Sequence, residues 1–294
     1  MTIPAYRNRP GNPNSRYLSL LAGRVDCMPD FLTFIFLLPV GILVSILGNS
    51  AGISGSNFWI PIYIIWLGID PKTSFWLALL TMFFGFGSGI LRHIRQRTVN
   101  WPVVKQYLQF AVPSAILGAL LVPFVPVNLL LVLFGSFVLM YGAFLIHRFA
   151  FSSCDKTPDE GEKTDQVYRA PAALGGFLQG LIATGTGKIL MPCILRNRNV
   201  QSPAEAIGST VIIIFVVNLF ATLFRLTPDF ISVLAGQKTM LLNVMIWVIP
   251  GVFIGGQIGP VVAKKMSYRG IRLYVGVLLV MVSQLIYLRV FFGF

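Results

Sequence analysis

Acidic side chains are scarce in this 294-residue chain: 10 Asp and Glu stand against 23 Lys and Arg, and charged residues make up only 11% of it. Soluble domains usually carry about 25% charged residues. The chain therefore lacks the surface that water requires, which excludes a soluble enzyme and a soluble nucleic-acid binder. Cys27, Cys154 and Cys193, with His93 and His147, are too few and too scattered for a metal-ligand spacing or a disulfide framework. No Asp or Glu falls inside an apolar stretch. A catalytic acid–base pair and an intramembrane carboxylate relay both lack a candidate. The expectation is no metal, no cofactor and no enzyme.

Apolar sequence fills the space that charge leaves. Hydrophobic residues reach 55% and the mean hydropathy is +0.77. Seven windows contain no Asp, Glu, Lys or Arg: 31–69, 73–91, 106–147, 170–187, 206–224, 239–263 and 273–288. A membrane-spanning helix needs roughly 20 apolar residues, so the chain is expected to be an all-α, polytopic protein of the cytoplasmic (inner) membrane. The net charge of +13 sits in Lys and Arg flanking those windows, the ordinary pattern of membrane topology beside anionic lipid rather than a nucleic-acid surface. The Pro/Asn/Arg-rich stretch 1–30 has no small-residue cleavage pattern and is read as a tail.

Several windows divide. The first reads as Phe31–Leu47, a small-residue loop over 48–57, and a short apolar piece Phe58–Ile69. Window 106–147 divides at Val125–Asn128, and window 170–187 runs into the loop Ala183–Lys188 before a very short piece, Ile189–Leu195. The sum is ten segments, two of them half-helices. Motifs recur between the halves. Pro113-x4-Gly118-Ala119-x3-Pro123 returns as Pro250-x4-Gly255-Gly256-x3-Pro260, and Gly52-x-Ser54-Gly55-Ser56-x4-Pro61 returns as Ala183-x-Gly185-Thr186-Gly187-x4-Pro192. Two matches in the same order predict two repeats of about five segments each, over 31–146 and 170–294, joined by the polar loop 147–169.

An odd number of segments per repeat inverts the second copy, as in many secondary transporters. Lys and Arg counts agree in direction. Loop 92–105 carries four against two in 225–238, loop 264–272 four against none in 126–128, and loop 196–205 two against one in 70–72. This places 92–105, 147–169, 196–205 and 264–272 in the cytoplasm. The same topology puts Arg7, Arg9, Arg16 and Arg24 outside; a single crossing by the first pair of segments would put that tail inside.

Backbone that leaves a helix within the membrane must be satisfied by protein, water or ligand. Interruptions at matching places in two halves are the best sequence pointer to a transporter's binding site. Gly52, Ser54, Gly55, Ser56 and Asn57 in one loop, with Thr184, Gly185, Thr186, Gly187 and Lys188 in the other, are the candidate substrate residues. Close helix packing by small residues is the competing explanation. Lys188 is the one charge between Arg169 and Arg196 and holds the repeat position of Asn57. It either faces the site as the positive charge for an anion or snorkels to the membrane surface. Thr210 and Asn218, eight residues apart on one helix face, are further candidates, with interhelical bonding as their alternative. Gly185-Thr186-Gly187-Lys188 is not a nucleotide loop, because Ile182 and Ile189 stand where that motif needs Gly and Ser or Thr. Glu205, after Ser202-Pro203-Ala204, reads as a helix-start residue.

The Gly-rich loop followed by Pro61, its second copy, Gly68-Ile69-Asp70-Pro71, the basic loop ending in Asn100-Trp101 and the Gly118 and Gly255 helices together resemble the sulfite exporter TauE/SafE family, over about Leu32 to Leu288. The resemblance implies a carrier of small anions, particularly sulfite, sulfonates or related oxoanions and organic acids. The chain departs from the family's Gly-x-Gly-Gly-Gly pattern at Ser54 and Ser56, and at Ala183 and Thr186. The expectation is an alternating-access carrier of a small anionic substrate in a lipid bilayer, with H+ or Na+ as a coupling ion. A passive anion channel and a carrier of small organic acids are the alternatives.

Overall fold

The computed structural model describes residues 32–51, 54–151, 167–265 and 268–292. No strand occurs among them. A short 3-10 turn, Leu32–Phe34, leads into α1, Leu37–Ala51. The next helix, α2 (Ser56–Pro61), continues through a π-helical turn, Ile62–Trp66. Then come α3 (Pro71–Arg95), α4 (Trp101–Leu121), α5 (Val127–Ile146), α6 (Arg169–Ile182), α7 (Thr186–Leu195) and α8 (Pro203–Phe224). The chain closes with α9 (Pro228–Gly236), α10 (Lys238–Lys265) and α11 (Tyr268–Phe292). Seven spans among the described residues are long and apolar enough to cross a membrane; α6 and α7 are too short.

Local chemistry sets the helix starts. Asp70, Asn100, Ser202 and Thr227 each accept a hydrogen bond, from the backbone N–H of Thr73, Val103, Glu205 and Phe230 respectively. A proline stands in the first turn after each of them. Such a cap satisfies one orphan donor, and proline supplies a fixed φ where its missing N–H costs nothing.

The packing is reciprocal. The first long helix, α1, lies along α10, while α4 lies along α6; α3 and α8 touch each other at the centre, and α5 pairs with α11. Glycines make the two closest seams. A Cβ on Gly118 would collide with the Phe177 carbonyl on α6, and a Cβ on Gly255 would collide with the Ile42 carbonyl on α1. The central helices α3 and α8 are buried along most of their length, whereas Phe124, Met140 and Met281 on outer helices are exposed.

Two ends of the bundle are defined by cross-links. At one, Arg92 donates to the Gln257 carbonyl (2.8 Å), and Asn100 donates to the Asn199 carbonyl (2.9 Å) and to Glu205 (3.0 Å). At the other, Lys72 donates to the Pro123 carbonyl (3.0 Å) and Trp76 to the Thr222 carbonyl (3.2 Å).

Helix α2 starts at Ser56 and α7 at Thr186, both inside the expected loops, and two further boundaries differ from the sequence reading. Helix α1 continues to Ala51, into the expected loop, because Ser50 and Asn49 bond back to Leu47 and Ser45 and so cap their own turn. Loop 225–238 contains a helix, α9, started by Thr227 and Pro228; a run of only nine residues with acid near its start escaped a search for long apolar windows.

Candidate functional site

Two helical hairpins, α1–α2 and α6–α7, bring their breaks together in the interior. The α6 break is sharp: Ala183 is left-handed at φ 55°, and Gly185 takes φ 140°. A left-handed non-glycine residue costs about 1 kcal/mol or more, so the surroundings must hold it. They do so with side chains. The Ala183 carbonyl, freed from the helix ladder, accepts the Ser56 hydroxyl (2.5 Å) and the Gln179 amide (3.1 Å). Across the break, Gln179 accepts the Thr186 backbone N–H (3.3 Å), while the Thr186 hydroxyl donates to the Gly175 carbonyl (3.1 Å).

Asn57, in the first turn of α2, is the centre of the junction. Its amide nitrogen donates to the Ser54 carbonyl (2.5 Å). Its amide oxygen accepts from two donors of the other hairpin, the Thr184 hydroxyl (2.8 Å) and the Lys188 ammonium (3.0 Å). Two converging donors fix the orientation of that amide. Ser54 and Ser56 share a hydroxyl–hydroxyl bond (2.6 Å) beside it.

Lys188 is 3% exposed. Its ammonium points inward, with the Phe137 ring centroid at 4.9 Å and the Tyr141 centroid at 5.2 Å. The snorkelling alternative is thereby set aside: a side chain wrapped by two aromatic faces and an amide is not reaching for the membrane surface. Among the described residues its hydrogen bond is to a neutral group, and the rings contribute only quadrupole attraction, about 0.5–2 kcal/mol each. A buried cation without a carboxylate is costly, and the arrangement suits an anion that completes the charge. The start of α7 adds the positive end of a helix dipole to the same place.

The remaining sequence candidates distribute unevenly. Gly55 precedes α2 in close contact with the Met82 sulfur, so a larger residue there would displace it. Gly185 supplies the positive φ, and Gly187 lies buried in the first turn of α7. Asn218 joins at one remove: its oxygen accepts from Gln179 (2.7 Å), and its buried amide nitrogen has no partner among the described residues. Thr210 does not join, because its hydroxyl donates to the Ala206 carbonyl of its own helix (2.7 Å). Gly52 lies outside the described residues. The sequence reading missed Gln179, Phe137 and Tyr141. Gln179 carried a signal, being a strongly polar residue inside an apolar window, whereas the two aromatics look like any lipid-facing or core ring in sequence.

Comparison with known proteins agrees with this architecture. The family model described as "Sulfite exporter TauE/SafE" matches residues 37–285. "Probable membrane transporter protein YunE" of Bacillus subtilis (strain 168) is 22% identical over 282 residues, covering 88% of this chain and 100% of that protein. "Probable membrane transporter protein MJ0441" of Methanocaldococcus jannaschii is 29% identical over 192 residues, 61% of this chain and 69% of its own. No solved structure matches. A multi-pass helical bundle with two broken hairpins, matched by this family model over most of its length, identifies the chain as a member of the sulfite exporter TauE/SafE family, a membrane transporter and not an enzyme.

Proposed function

We propose that the chain is a secondary transporter of small anions, sulfur oxoanions such as sulfite or a small sulfonate foremost, working by alternating access between two inverted repeats in the cytoplasmic (inner) membrane. The observation that carries the substrate class is Lys188, buried at 3% exposure against a neutral amide and two rings. An anion oxygen meets that ammonium and the Thr184 hydroxyl by replacing the Asn57 oxygen, which the protein itself holds there at 3.0 and 2.8 Å. A charged acceptor bonds more strongly than an amide, so the exchange favours anions over neutral solutes. Gly55, Gly185 and Gly187 keep backbone close to the bound ion, Ser54, Ser56 and Thr186 shape the two breaks, and Asn218 lends an amide nitrogen that has no partner among the described residues.

The reciprocal packing of α1 with α10 and α4 with α6 supports the repeat reading, with the first copy over 31–146 and the second over 170–294. The end that holds Arg92, Arg95 and Arg97 faces the cytoplasm in this topology. Burial of Ser54, Ser56, Asn57, Thr184 and Thr186 to 1% exposure or less favours an occluded carrier over an open pore.

Uptake of radiolabelled sulfite, thiosulfate, sulfate and a small sulfonate into proteoliposomes, with and without an imposed pH gradient, tests the proposal. Saturable uptake of one of them, lost in Lys188→Ala protein that still folds, is expected; a response to the gradient assigns H+ as the coupling ion. Uptake of none of them by folded protein overturns the sulfur-anion reading and turns the test to small organic acids. Non-saturable conductance overturns the carrier reading.

A further inference from the structure

A second cationic feature lies away from the hairpin junction, at the end of the bundle opposite Arg92. The start of α3, the end of α4, the end of α8 and the short helix α9 line an open pocket of about 280 Å³. Lys72, Arg225, Thr227, Asp229 and Phe230 are among its lining residues. Arg225 is only 4% exposed. Its Nε donates to the Gly180 carbonyl (3.1 Å), and its Nη2 donates to the carbonyls of Gly180 (2.6 Å) and Leu181 (3.0 Å). Its Nη1 is buried with no hydrogen-bond partner among the described residues. The Lys72 ammonium spends one donor on the Pro123 carbonyl (3.0 Å) and retains two. Thr227 accepts from the Phe230 backbone N–H (3.4 Å) and keeps its own O–H to give.

Every partner of Arg225 among the described residues is a neutral carbonyl, and an orphaned guanidinium N–H is expensive to bury. Two cations against one carboxylate leave the pocket net positive. We infer that this pocket is a second anion site, taking an oxoanion of the sulfate or phosphate class between the Arg225 Nη1 and the Lys72 ammonium, with the Thr227 hydroxyl as third donor. The phosphate of an anionic lipid headgroup offers the same chemistry as a free ion. The site stands apart from the Lys188 junction and does not depend on the transport reading. It is nonetheless mechanically adjacent to it, since Arg225 grips the last carbonyls of α6, two and three residues before Ala183.

Equilibrium binding of radiolabelled sulfate to the purified, delipidated full chain in detergent tests it, with Lys188→Ala as the background so that only the second site is read. Saturable binding that persists in this background is expected, weakened about fivefold by Lys72→Gln and tightened by a similar factor by Asp229→Asn, the scale of one unit charge about 4 Å away through water. Both positions are accessible enough to substitute without disturbing the core, and Arg225→Lys serves as a further variant that keeps the charge but loses the fork. Sulfate binding indifferent to Lys72→Gln and Asp229→Asn overturns the inference, as does its disappearance with Lys188→Ala alone. In nanodiscs, Lys72-dependent displacement of sulfate by phosphatidylglycerol identifies the headgroup as the occupant; no displacement identifies the free anion. Failure of uptake with this binding intact overturns the sulfur-anion reading of the Lys188 junction and leaves the second site standing.

Discussion

Asn57 and Lys188, 131 residues apart, occupy matching positions of two similar motifs and are joined by a single 3.0 Å hydrogen bond. The two breaks therefore do not merely lie at comparable depths; their corresponding residues touch. The contact is a cation on an uncharged oxygen, and its charge balance is open to direct change.

Asn57→Asp supplies the missing carboxylate. It replaces the amide oxygen by a charged one at the same place and neutralises Lys188. Opposite charges near a protein surface interact by about 4 kcal/mol at 4 Å, so substrate affinity in proteoliposome uptake falls at least tenfold. The new ion pair offsets loss of the Asn57 amide bond to the Ser54 carbonyl, so thermal unfolding in detergent shifts little, which separates loss of the site from loss of the fold.

Ala183→Gly removes the left-handed strain at the α6 break. With φ at 55°, glycine relieves about 1 kcal/mol of steric cost. The melting temperature rises modestly. The Ala183 carbonyl keeps its bonds to Ser56 and Gln179, so saturable uptake persists. A drop in melting temperature contradicts the strained geometry.

Gly118→Ala and Gly255→Ala each drive a methyl into a carbonyl of the neighbouring helix, Phe177 and Ile42 respectively. Overpacking of this kind costs about 1–3 kcal/mol. Both variants melt several degrees below the parent protein. Gly236→Ala, where nothing lies within 4 Å, is the control and melts unchanged or slightly higher, since alanine favours a helix.

The proposed sidedness rests on the Lys and Arg counts of the loops and is read by labelling the two ends. In a background without Cys27, Cys154 and Cys193, Asp229→Cys is labelled by an impermeant maleimide in intact cells and Arg95→Cys only in inverted vesicles. The reverse pattern inverts the topology; labelling of both from one side refutes it.

Much of this was legible before the structure. Charge-free windows located the spans because lipid tolerates few charges, and glycine with proline at fixed offsets located both breaks. Lys188 announced itself by isolation, though composition left open whether it turned in or out; only the positions of Phe137 and Tyr141 settle that, and aromatic rings in an apolar chain carry no positional signal. Thr210 shows the converse. Helical spacing put it on a face with Asn218, yet a hydroxyl can bond its own helix, and spacing does not register that option. Arg225 was read as loop charge because it ends an apolar window, and its grip on the α6 carbonyls depends on a distant segment.

The glycine seams have a mechanical consequence. Side chains that interlock hold helices in register, because sliding requires knobs to leave their holes. Along α1 and α10, and along α4 and α6, backbone meets backbone at Gly41, Gly251, Gly255, Gly118, Gly176 and Gly180, and a slide of one residue carries a neighbouring Cβ against a carbonyl. Each seam thus fixes the register of its two helices as firmly as interlocked side chains would, and each helix pair holds together as one rigid unit.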